Sequence, residues 1–261
     1  MEDPYFIIGT RVTEAYLKGA AIAKMTLDQN FERFNEGDLR TDFYWLRYKI
    51  AFPNFDDMAF CYRNQVFSVL LVADKIKDVN PKRLERFLSN CKRYSLFPCF
   101  FIVDPESLHL GFTPWGLCDI HYKRLRPELM ATSAKIPMSE YEMYAYMITL
   151  VTDELEKANY KINSLNYWPG ADPQIWFYDH EGRLCWLLVR RTTIARDKDS
   201  YKEYFRYERF FPQFTMYDGF YASVFMMPKP YLHNPDNIIY RENDFVLYYE
   251  GMHRIFIYDY D

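Results

Sequence analysis

Glycine is scarce in this chain, with nine in 261 residues. A loop that cradles phosphate through its backbone needs several glycines close together, and none of the nine are so arranged. The five cysteines, at 61, 91, 99, 118 and 185, form no CxxC pair and are odd in number. They read as small buried hydrophobes in a reducing compartment, not as a disulfide framework or a zinc site. No apolar run approaches the roughly 20 residues that span a bilayer, and residues 1–9 lack the basic start and apolar stretch of a secretory signal. These absences predict a cytoplasmic protein without a membrane partner. The net charge is −4, so no overall field draws the chain toward nucleic acid or anionic lipid. His109, His121, His180, His233 and His253 are scattered, and no nucleophile signature accompanies them.

Aromatic residues, by contrast, make up 20% of the chain, with 24 Tyr and 22 Phe. Tyrosine in such excess suits both a core rim and a protein interface, because the ring is buried while the hydroxyl stays hydrogen-bonded. The sequence also repeats itself. The segment 58–72, an apolar hairpin ending Leu70-Leu71-Val72, returns as 175–189, ending Leu187-Leu188-Val189. Around each copy the expected elements follow one order: helix, strand, turn with Asp, hairpin, helix, strand. This predicts an α/β protein with mixed sheets, built as two related lobes at residues 1–130 and 131–261.

In the first lobe a helix is expected over 10–24, a polar segment over 28–40 and a strand over 42–52. Asn80 and Pro81 form a helix start, cap and first turn, with Leu84, Phe87, Leu88 and Cys91 as its apolar face. Residues 122–138 serve as the connection. Ser139 and Glu142 form a capping box for the second long helix, and 201–210 reads as a basic, aromatic helix. The second lobe ends in a hairpin that turns at Glu250-Gly251, without a match in the first.

Two basic groups stand out. Lys82, Arg83, Arg86, Lys92 and Arg93 decorate the polar face of the helix after the first hairpin, and Arg190, Arg191 and Arg196 follow the second. Lys198, Lys202, Arg206 and Arg209 continue that second group. Cations beside tyrosines suit phosphate contact and base stacking. Glu85, Glu203 and Glu208 interrupt them, as on an ordinary solvated face.

The element order resembles the restriction-endonuclease-like, or PD-(D/E)xK, nuclease superfamily. The second lobe carries the resemblance best, from Tyr160-Lys161-Ile162 through Gly170-Ala171-Asp172-Pro173-Gln174-Ile175 to Leu187-Leu188-Val189-Arg190-Arg191-Thr192. The resemblance implies a divalent metal held by an acid before the hairpin and an acid in its second strand, with a lysine two residues further on. Here Asp172 falls at the first acid, Leu188 replaces the second and Arg190 the lysine. In the first lobe Asp57, or Asp56, takes the acid position, while Leu71 and Ala73 replace the other two. One carboxylate per lobe is a poor magnesium site. A shifted register brings in Asp74 with Lys75 or Lys77, or Glu181 with Arg183; Glu181 reads better as an acid of a solvated turn.

The resemblance therefore implies a pseudo-nuclease: a scaffold or accessory subunit of a bacterial or phage assembly or nucleic-acid machine, with no cofactor. A protein partner is expected and nucleic acid is a second candidate. One alternative is a metal-dependent nuclease using Asp172 and magnesium. Another is an immunity or inhibitor protein that binds an enzyme through Asp56, Asp57, Asp259 and Asp261.

Overall fold

A computed structural model describes residues 14–34, 43–47, 57–73, 75–103, 115–192, 216–229, 238–241 and 243–255. The chain is a mixed α+β protein of two units that meet in sequence between Ser139 and Glu140. Each unit holds one five-stranded mixed sheet.

The first unit runs α1 (Glu14–Phe34), β1 (Phe43–Arg47), β2 (Asp57–Tyr62), β3 (Gln65–Ala73), a single 3-10 turn (Ile76–Asp78), α2 (Pro81–Arg93), β4 (Phe97–Val103), β5 (Leu117–Cys118) and α3 (Pro127–Met130). Its strands lie in the order β1-β2-β3-β4-β5, antiparallel except for the β3 and β4 pair. A parallel pair needs a crossover, and α2 supplies it. The expected helix start holds, since the Asn80 Oδ1 accepts from Lys82 N at 3.0 Å and Pro81 opens the first turn. Phe87 and Cys91 are buried on the apolar face, and Phe87 meets the Phe100 ring edge-on at 5.7 Å. On the opposite face of the sheet, Ala20, Ala23 and Leu27 of α1 pack with Phe60, Phe67, Val69, Leu71, Phe101 and Val103. Gly19 faces Val103, where a Cβ would make an ordinary contact at 3.5 Å. The polar segment expected over 28–40 is helical as far as Phe34, where α1 ends, and 35–40 lie outside the described residues. Tertiary burial of Leu27 holds that stretch helical despite its polar composition.

The second unit runs α4 (Glu140–Lys157), β6 (Lys161–Leu165), β7 (Ile175–Tyr178), β8 (Leu184–Thr192), β9 (Asp218–Pro228) and β10 (Phe245–Ile255). Its order is β6-β7-β8-β9-β10, again antiparallel except for one parallel pair, β8 with β9. The expected terminal hairpin is instead one strand. β10 pairs with β9 along its length, and the Glu250-Gly251 turn is a bulge between Tyr249 and Met252. Its topological counterpart in the first unit is the short β5. The expected helix over 201–210 lies outside the described residues, as do 10–13 and 48–52.

The repeat itself is real in topology but shifted in phase. Leu71 lies on the α1 face of its sheet. In the second unit Trp186, Leu188, Tyr221 and Ile255 form a cluster with no member from α4, although α4 packs on β8. Side chains alternate across a strand, so α4 covers Cys185, Leu187 and Val189, and Leu188 faces away. The turns explain the slip. Tyr62 pairs with Gln65 across two residues, whereas Tyr178 pairs with Leu184 across five. An odd difference in spacing inverts which face each residue of the matched strands presents.

Candidate functional site

The turn 166–174 leads from β6 into β7, and its backbone folds on itself through Asn166 N to Gln174 O at 2.7 Å and Ala171 N to Trp168 O at 3.1 Å. Gly170 sits there at φ +78°, a conformation that other residues seldom take. The turn delivers Asp172, a cis bond to Pro173, and then Gln174, which is fully buried. A polar amide at that depth must be satisfied. Its Nε2 donates to Ala171 O at 3.0 Å and to Asp172 Oδ1 at 2.6 Å, while its Oε1 accepts from Val189 N at 2.8 Å and Arg190 Nη1 at 3.1 Å. Arg190 Nη1 also donates to Val189 O at 2.9 Å, and Nη2 reaches Asp172 Oδ2 at 2.5 Å. The Arg190 and Asp172 side chains are only 15% and 13% exposed, so water screens the pair weakly.

Tyr144 comes from α4 and stands near enough to Arg190 and Asp172 for its hydroxyl to feel both charges. Burial raises the pKa of its hydroxyl; Arg190 opposes that, and Asp172 and Glu140 add to it. The hydroxyl is therefore a neutral donor or acceptor, not a base.

The network answers what Asp172 can do. One carboxylate oxygen is engaged by an amide N–H and the other by a guanidinium, and both donors repel a cation. A hard divalent metal needs several oxygen ligands turned toward it. Leu188, at the position of the second acid, is buried on an apolar face beside Trp186 and Tyr221. Among the described residues no three His, Cys, Asp or Glu side chains gather as metal ligands. The arrangement is a neutral clamp that fastens the turn 166–174 to β8.

The other candidates separate. Asp57 lies within the ladder opposite Leu70, whereas Asp172 precedes β7 by three residues, so the two acids do not occupy equivalent places. Glu181 is exposed at the hairpin tip and pairs with Arg183 at 3.0 Å, with all of β7 between it and Asp172. Arg191, expected as a phosphate contact, turns inward and donates to Met226 O at 3.2 and 3.1 Å; burial lowers its pKa. Arg83 is also partly buried, which lowers its pKa to about 10. Lys82, Arg86, Lys92 and Arg93 are exposed. Arg196, Lys198, Lys202, Arg206, Arg209, Asp56, Asp74, Asp259 and Asp261 lie outside the described residues. Glu142, expected to close a capping box, gives both oxygens to Arg241 at 2.7 Å in a pair with 0% and 1% exposure. Sequence reasoning assigned no role to Gln174 or Tyr144. A lone amide at the start of an apolar strand was the available signal.

Fold and clamp together define a class: a mixed α+β protein of two five-stranded sheets whose second unit ties the turn before β7 to β8 by an internal ion pair. Residues 141–255 match the family model described as Domain of unknown function (DUF8840), from the second residue of α4 to the last of β10. No curated protein and no solved structure matches the chain.

Proposed function

We propose that the protein is a cytoplasmic, non-catalytic binding protein whose two units are degenerate restriction-endonuclease-like cores. It serves as a scaffold or accessory subunit for a protein partner in a bacterial or phage assembly. The element order supports the nuclease-like reading: helix, three antiparallel strands, crossover, then a strand parallel to the third, present twice. The occupation of Asp172 by Arg190 and Gln174 carries the non-catalytic part. That carboxylate stands where the resemblance implies a metal ligand, and each of its oxygens already accepts a hydrogen bond from a donor that would repel a cation.

Nicking of supercoiled plasmid with magnesium or manganese, compared between the native protein and Asp172→Ala, tests this. The expected result is no difference between the two. Metal-dependent nicking that disappears in Asp172→Ala would overturn the reading.

A further inference from the structure

The turn 119–123 of the first unit has the same construction as the hairpin tip 179–183 of the second. In each, the first Asp Oδ1 accepts from the backbone N–H groups two and four residues on: His121 and Lys123 at 2.8 and 2.9 Å, Glu181 and Arg183 at 2.9 and 2.8 Å. Each closes with the same backbone bonds, Asp119 N to Lys123 O at 2.9 Å and Tyr122 N to Asp119 O at 3.0 Å, matched by Asp179 N to Arg183 O and Gly182 N to Asp179 O, both at 3.0 Å. The fourth position is left-handed in both, Gly182 at φ +77° and Tyr122 at φ +62°. Glycine is the residue that geometry favours, and a bulky side chain there is strained by about 1–2 kcal/mol. The first unit nonetheless carries a tyrosine, with 41% of its surface exposed.

The tyrosine is held in place. Its hydroxyl accepts from Ile76 N at 3.0 Å, which sets the turn beside the 3-10 turn that leads into α2. From Lys75 to Arg93 that stretch carries seven cations against two acids, a local excess of five in a chain of net charge −4. Lys82, Arg86, Ser89 and Arg93 recur at i, i+4, i+7 and i+11 and are all exposed, forming one stripe about 16 Å long at 1.5 Å per residue. Lys123 of the turn and Arg124 just after it are exposed as well. No acidic side chain lies in the first turn of α2, while Lys82 does, against the helix dipole. Lys75, Lys77, Lys82, Arg86 and Lys92 form no ion pair among the described residues. The exposed large hydrophobic residues include none between 75 and 93. On the turn Ile120 and Tyr122 are exposed; the charge excess suits a phosphate backbone, and the tyrosine ring beside it offers a stacking face for a base.

We propose that α2 and the turn 119–123 form a binding surface for single-stranded nucleic acid. The cationic stripe tracks the phosphates and Tyr122 stacks on a base. The proposal does not depend on whether Asp172 is catalytic.

Fluorescence anisotropy of the full chain with a labelled oligothymidylate, a duplex of equal length and anionic vesicles, each at low and moderate salt, tests it. The expected result is single-strand binding that weakens as salt rises and exceeds duplex binding. Arg86→Glu with Arg93→Glu should abolish it. Tyr122→Gly, which suits the left-handed turn, should keep the melting temperature within a few degrees while weakening binding about tenfold, and Tyr122→Phe should retain it. No single-strand binding at low salt, equal affinity for Tyr122→Gly and the native protein, or preference for duplex or vesicle would overturn the proposal.

Discussion

In the first unit the hairpin between β2 and β3 turns on Arg63 and Asn64, and Asn64 is fully buried. Its Nδ2 donates to Thr132 Oγ1 and Ala134 O, both at 2.8 Å, and its Oδ1 accepts from Thr132 N at 3.0 Å. In the second unit the equivalent tip, Asp179 to Arg183, is closed by its own side chains and open to solvent. The topologies are the same and the supports differ. One tip borrows its order from a segment almost 70 residues away in sequence; the other is self-contained. The helices differ likewise. α1 approaches its sheet through Gly19, Ala20 and Ala23, whereas α4 brings Tyr141 and the buried Glu142 carboxylate. Two units of the same strand order thus satisfy their buried groups by different means.

The largest expected effect lies in the buried ion pair that sets α4 apart. Glu142→Ala removes the carboxylate that pairs with the Arg241 guanidinium in a site with 1% exposure, and removing one partner of such a pair costs about 3–5 kcal/mol. Urea unfolding should show that loss. Glu142→Leu combined with Arg241→Met should recover most of it, because an apolar pair leaves no stranded charge. A small loss in the single variant would mean that α4 is held mainly by apolar packing.

The two tips give the next contrast. Asn64→Ala leaves the groups of Thr132 and Ala134 without their buried partner and is expected to cost about 2 kcal/mol. Asp179→Ala, at a tip where water replaces the lost bonds, is expected to cost less than about 1 kcal/mol. Equal losses, measured by chemical denaturation of both variants, would erase the distinction between a borrowed and a self-contained turn.

Much of this was legible from residue pattern. The Leu-Leu-Val runs marked β3 and β8, and Asn80-Pro81 marked the start of α2 with its cap. Helix type followed from period and cap because both are local properties. What escaped was long-range. Whether Leu71 and Leu188 share a face depends on the number of turn residues and on which helix covers the sheet, and alternation alone permits either phase. The single strand β10 was hidden because Glu250-Gly251 carries the same local signal whether it turns the chain or bulges it. At the site, Asp172 and Arg190 were visible as residues out of pattern. That they face each other required the turn 166–174 to fold back onto β8, with Gln174 bridging them.

A last contrast lies in the repeated turn. Gly182 takes φ +77°, and a Cβ there would meet nothing within 4 Å, so Gly182→Ala isolates backbone strain from crowding. The expected loss is about 1 kcal/mol, seen as a modest drop in melting temperature. Tyr122 bears a comparable strain in the native first unit, offset in part by its hydroxyl bond to Ile76 N. If Gly182→Ala costs nothing, the left-handed position is not strained in this kind of turn. Tyrosine at 122 would then need no explanation beyond that hydrogen bond. A measurable cost means that the first unit tolerates at this position a conformation that the second avoids by using glycine.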